Sequence, residues 1–122
     1  MIHIAIVEDE EKYRKQLREY IEQYCEKSGK QIQTSFFQDG EDIIENYTAD
    51  FDLIFMDIQM RFMDGMTAAR EIRKLDKKVI LMFITSIATY AIEGYEVDAL
   101  DYILKPLSYN MFEQKLDRAL LR

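Results

Sequence analysis

Asp52-Leu53-Ile54-Phe55-Met56-Asp57, residues 52–57, is the stretch that decides the architecture. Its four consecutive apolar residues are too few for a buried helix. They also lack the alternation of a strand with one wet face. Such a run suits a strand covered on both sides, as in a parallel sheet. Ile2-His3-Ile4-Ala5-Ile6-Val7 and Val79-Ile80-Leu81-Met82-Phe83-Ile84 read the same way. Weaker strands are predicted at 31–37 and 100–104.

Helical stripes fill the gaps between these runs. Tyr13, Leu17, Tyr20, Ile21 and Tyr24 mark the first, with Gly29 as its stop. Asp39-Gly40-Glu41-Asp42-Ile43-Ile44 opens a second. Residues 65–75 make a third and 88–95 a fourth. Phe112, Leu116, Ala119 and Leu120 stripe a fifth, which is expected to run to Arg122. A strand followed by a helix, repeated to the end of the sequence, predicts an α/β fold. Its five-stranded parallel sheet carries five helices on both faces. Right-handed crossovers leave few topologies, and the flavodoxin-like order 2-1-3-4-5 is expected.

The chain has 122 residues, enough for one domain over 1–122. Its net charge of −7 repels phosphate backbones, which argues against direct DNA or RNA contact. The longest apolar run is far short of a membrane span, and no charged-then-apolar leader opens the sequence. A cytoplasmic location is therefore expected. Cys25 is alone and reads as a packing residue, and the single His3 as structural.

The chemistry lies where the strands stop. The first ends in Glu8-Asp9, the third in Asp57, the fourth in Thr85-Ser86 and the fifth in Lys105-Pro106. In an open parallel sheet these ends share one edge, where ligands bind. Three carboxylates, a hydroxyl and an ammonium should thus converge. Carboxylates so close raise one another's pKa unless a cation compensates. Oxygen donors without Cys or His favour Mg²⁺. A metal ion beside a lysine and a threonine suits a transferring phosphoryl group, and a carboxylate can be its nucleophile. Asp57 alone would read as a turn or cap; the joint pattern is what carries weight.

With these motifs the sequence resembles the response-regulator receiver family over nearly its whole length. The matching stretches are Val7-Glu8-Asp9-Glu10, Phe55-Met56-Asp57-Ile58-Gln59-Met60, Met63-Asp64-Gly65, Ile84-Thr85-Ser86 and Tyr102-Ile103-Leu104-Lys105-Pro106. Residues 90–102, from Tyr90 to Tyr102, resemble receivers of LytTR-type transcription regulators. The resemblance implies a phosphoacceptor signalling domain rather than an enzyme. Asp57 resembles the acceptor. Asp9 resembles a direct Mg²⁺ ligand, Glu8 one acting through water, and Gln59 one acting through its backbone carbonyl. Lys105 resembles the phosphoryl-pairing lysine. Thr85 and Tyr102 resemble the switch pair, and the Lys105-Pro106 bond a position that is commonly cis.

The resemblance further implies a sensor histidine kinase as donor, while aromatic residues left exposed on the fourth helix would suit a homodimer through the fourth helix, fifth strand and fifth helix. Of Tyr90, Ile92 and Tyr95 on the fourth helix, some are expected to pack on the sheet. DNA would be reached only through a separate output domain of LytTR type; a free-standing receiver is the other option. One departure is Arg61, where receivers usually carry proline after the residue matching Met60. It loosens the loop by an entropy of about 0.4–1 kcal/mol. Two readings stand: an exposed arginine without a role, or one that screens the acidic pocket and weakens Mg²⁺ affinity.

Three rival readings remain. A Mg²⁺-dependent phosphatase of the haloacid dehalogenase class would need a second acid at Gln59. A flavin module would need small residues after the first strand, where Glu8-Asp9-Glu10-Glu11 stands. The third is a receiver-like interaction domain that is never phosphorylated.

Overall fold

In a computed structural model the described residues are 1–121. The expectation that the last helix reaches Arg122 lies outside them. The elements are β1 (Ile2–Val7), α1 (Glu11–Ser28), β2 (Ile32–Phe37), α2 (Gly40–Glu45), β3 (Leu53–Met56), α3 (Gly65–Leu75), β4 (Ile80–Thr85), a 3₁₀ helix (Ile92–Val97), β5 (Asp101–Leu104) and α4 (Tyr109–Leu120). The strands form one five-stranded sheet, order β2-β1-β3-β4-β5, with every pairing parallel.

Alternate strand residues feed two apolar layers, which explains why the central strands show no polar face. Ala5, Val7, Ile54, Met56, Leu81 and Phe83 pack with Ile43, Met66, Ala69 and Ile72 of α2 and α3. Ile4, Ile6, Leu53, Phe55, Met82 and Ile84 meet α1 and α4 on the other side. Burying a large aliphatic or aromatic side chain is worth about 1.5–3 kcal/mol, so these layers dominate the stability. Short polar residues set the helix ends. Asp39, Asp64 and Ser108 each accept a backbone N–H at the start of α2, α3 and α4. Gly29 closes α1 in the left-handed conformation (φ 74°), as its sequence position predicts.

The fourth helix differs from expectation. Residues 89–91 form a turn, and a 3₁₀ helix begins only at Ile92. Gly94 lies mid-segment, where an α-helix is weakened. The segment's end is fixed from outside. Arg73 of α3 donates to the carbonyls of Val97 (2.6 Å), Asp98 (3.1 Å) and Val79 (2.6 Å). Asp98 takes up φ 52° to end the turn. Consequently Tyr90, Ile92 and Tyr95 are all exposed, while Gly94 and Val97 face the core. Among the described residues no helix is long and apolar enough to cross a membrane.

Candidate functional site

Register brings the strand tips together. Val7 of β1 is level with Met56 of β3, which is level with Phe83 of β4; Thr85 is level with Leu104 of β5. One residue further on, Glu8 and Asp57 leave neighbouring strands side by side, and Lys105 follows beyond Leu104. The Lys105 ammonium reaches both carboxylates: Nζ lies 2.6 Å from Glu8 Oε1 and 2.9 Å from Asp57 Oδ2. These three side chains are only 3–6% exposed. A buried charge triad of this kind holds only if its remaining atoms are also satisfied. Glu8 Oε2 accepts the Glu10 N–H at 3.1 Å, and Asp57 Oδ1 the Gln59 N–H at a long 3.3 Å. Arg14 donates to the Glu8 carbonyl at 2.8 Å, and the Tyr13 ring centroid lies 3.7 Å from Lys105 Nζ.

The electrostatics of the triad are uneven. Burial pushes the Glu8 carboxyl up to about 7; the Lys105 hydrogen bond opposes this and the Asp57 charge adds to it. Burial works against the Lys105 charge, yet its two carboxylate partners prevail and raise its pKa. The Lys105 ammonium therefore does not fully offset the burial of the Glu8 carboxylate.

Asp9 is exposed, unlike the three members of the triad. Glu8, Asp9 and Glu10 can each bring a carboxylate oxygen within 4.8 Å of one another. Asp57 is not in that group; Glu8 belongs to both sets. The donor chemistry fits a hard divalent cation: all oxygen, with no Cys or His, beside a carboxyl that burial leaves under-compensated. Gln59 is exposed, with its N–H on Asp57.

Thr85 is fully buried at the end of β4, its hydroxyl accepting the Ile87 N–H at 3.4 Å. Tyr102 is half-buried. Its ring packs on Phe83 at 5.8 Å, and its hydroxyl donates to the Ile87 carbonyl. The Lys105-Pro106 bond is cis, as the resemblance implies. Met60 and Met63 pack against the apolar layer under the loop.

Sequence reading missed Asp39. Beyond capping α2, its carboxylate accepts the N–H groups of Phe62 (2.8 Å) and Met63 (2.9 Å) and so ties down the loop after Asp57. The helix-opening pattern at 39–44 was the only signal, and it says nothing of a partner in a distant loop. The sequence shows Tyr13 as part of the first helical stripe but not its place over Lys105. Arg61 and Phe62 line an open cleft of about 500 Å³ with Asp9, Asp39, Glu41 and Asp42. Neither Asp57 nor Lys105 lines it.

Residues 4–117 match the response regulator receiver domain family. The sensory transduction protein LytT of Oceanobacillus iheyensis is 32% identical over 120 residues, which cover 96% of this chain and 47% of that protein. The chain thus spans about half the length of such relatives. Among solved structures, the response regulatory domain of mrkE from Klebsiella pneumoniae superposes with a TM-score of 0.86 at 29% identity, covering 98% of this chain and 96% of that one. The response regulator TrrA from Thermotoga maritima, in complex with Mg²⁺-BeF, has a TM-score of 0.82 at 24% identity, covering 98% and 99%. With a receiver match across nearly its whole length and the sheet order such domains share, the chain belongs to the response regulator receiver family.

Proposed function

We propose that this domain accepts a phosphoryl group on Asp57 from a phosphohistidine of a sensor histidine kinase, and that the change reaches an output surface. The observation that carries this reading is Lys105, whose ammonium spans Glu8 and Asp57 at 2.6 and 2.9 Å. It holds Asp57 Oδ2 and leaves Oδ1 with only one long backbone contact. Oδ1 is therefore the nucleophile. As its bond to phosphorus forms, the donor P–N bond breaks and its electron pair stays on the imidazole nitrogen.

Lys105 already carries its charge and stands beside the new oxygens, so it stabilises them without reorganising. Thr85, with only a 3.4 Å bond to Ile87, is free to turn its hydroxyl toward the phosphoryl group. Tyr102 is bonded to the same residue, Ile87, and its ring follows any movement of that loop. Phosphorylation then biases an existing equilibrium of the β4–β5 connection. When bound, Mg²⁺ held by Asp9, Asp57 and the Gln59 carbonyl, with Glu8 through water, would supply further neutralisation of phosphoryl charge. TrrA, a protein of the same fold, was solved in complex with Mg²⁺-BeF, which supports Mg²⁺ as the cation.

In this reading the domain is a phosphoacceptor, not a turnover enzyme, and works in the cytoplasm. LytT-like relatives of twice the length support a LytTR-type DNA-binding output domain in the full protein and control of transcription. Ile92 and Tyr95, 80% and 85% exposed beside β5, favour a homodimer through the 3₁₀ segment, β5 and α4. Incubation with acetyl phosphate and Mg²⁺, followed by intact mass, tests the core claim. One phosphoryl adduct on the wild type, absent from Asp57→Asn, is expected. An unmodified wild type, or an adduct that persists on the variant, overturns it.

A further inference from the structure

We propose that Tyr13 is a positioning residue for Lys105, its ring face serving as the third partner of the ammonium. An ammonium has three N–H donors. Two are taken by Glu8 and Asp57, and the lysine side chain is only 6% exposed, so the third has little access to bulk water. The Tyr13 centroid at 3.7 Å is well inside the ~6 Å reach of a cation–π contact.

The placement is specific. Tyr13 shares the helical stripe of α1, yet it belongs to neither apolar layer, whereas Leu17, Ile21 and Tyr24 do. Its turn is locked to the β1 tip: the Tyr13 N–H bonds the Glu10 carbonyl at 3.1 Å, and Arg14 bonds the Glu8 carbonyl at 2.8 Å. Lys12 also approaches this ring, but at 5.5 Å and from an exposed position.

The choice of a ring has a chemical reason. A third carboxylate would grip Lys105 but repel an incoming phosphoryl group. An aliphatic side chain would leave the buried N–H without a partner. A neutral π-face directs the ammonium toward Asp57 and adds no negative charge. The inference rests on the phosphoacceptor reading for its consequence, but not for the contact itself.

The test replaces Tyr13 by Phe, by ring-fluorinated phenylalanines of increasing fluorine content, and by Leu. Fluorination keeps the ring's shape while draining the charge from its face, so folding is preserved along that series. Two quantities are read: the limiting rate constant for phosphorylation by acetyl phosphate at saturating Mg²⁺, and the NMR shift of the Lys105 Cε protons, which the ring shields.

Tyr13→Phe should stay within about twofold of wild type, and Tyr13→Leu should lose on the order of three- to tenfold in rate. The fluorinated series should fall stepwise between them. The upfield Lys105 shift should persist in Phe and vanish in Leu. A Leu variant as fast as wild type, a flat fluorine series, or an unshielded Lys105 in the wild type overturns the proposal. If the wild type takes no phosphoryl group at all, the phosphoacceptor reading fails, and the proton shift still decides the contact.

Discussion

Gly65 lies directly against the backbone of Asp57. A Cβ at position 65 would overlap the Asp57 carbonyl oxygen and stand 2.8 Å from its carbonyl carbon. The glycine N–H also bonds the Ile58 carbonyl at 2.8 Å. Its role is close approach: it lets the first turn of α3 support Asp57 from behind. Gly65→Ala should destabilise the fold by about 1–3 kcal/mol, the usual range for overpacking. Urea unfolding checks this. Phosphorylation should fall as well, because the clash displaces the acceptor's own backbone.

Lys105→Met should cost about 3–5 kcal/mol, since it strands two buried carboxylates. The penalty should shrink in the Lys105→Met, Glu8→Gln double variant, which removes one of them. A double-mutant cycle by chemical denaturation measures the coupling.

Asp39 gives a pH signature. Burial alone would raise its pKa, but the N–H groups of Phe62, Glu41, Met63 and Arg61 outweigh it and hold the carboxyl below its ordinary 3.8. A group whose folded pKa is lowered contributes stability above its unfolded value. That contribution is lost as pH falls through the folded value. Asp39→Asn should therefore flatten the acid limb of the stability curve below about pH 4. At pH 7 the alanine variant should lose about 0.5–2 kcal/mol for the helix cap alone.

Arg73→Lys should free the end of the 3₁₀ helix. A lysine cannot reproduce a planar fork that meets the carbonyls of Val97, Asp98 and Val79 together. Hydrogen exchange at residues 94–99 should quicken by roughly tenfold or more, given about 1.5–3 kcal/mol per charged hydrogen bond. The amides of β1 and β3 should be unchanged.

Arg61 shares a cleft with Asp9 and four further acids, Asp39, Glu41, Asp42 and Glu45. Removing its charge in Arg61→Gln should tighten Mg²⁺ binding by about two- to fivefold at low salt, and by less at 0.5 M salt, where screening is strong. Calorimetric titration at both ionic strengths checks this.

Strand positions and the site edge were legible in the sequence because they depend on local facts, while the sheet order came partly from the family resemblance. Runs such as 53–56 and 80–84 are apolar throughout, and each is followed by a residue of the candidate site, Asp57 or Thr85. Helix ends were legible where a short-range cap decides them, as at Asp39 and Gly29. The connection at 88–98 was not. Its periodicity favours a helix, but its form depends on an arginine in α3 and on Tyr102 holding Ile87. The place of Asp9 was hidden for a similar reason. Strand counting puts it at the right edge but cannot say that Lys105 binds Glu8 and Asp57 while Asp9 faces solvent.

α3 touches two distant parts of the fold. Its first residue presses on the Asp57 backbone, and Arg73 in its last turn grips the segment before β5. Eleven helical residues span about 16 Å and bend little over that distance. The helix is thus a strut with one foot under Asp57 and the other on the 3₁₀ turn. The strut thus joins the two by a route that contains neither Thr85 nor Tyr102.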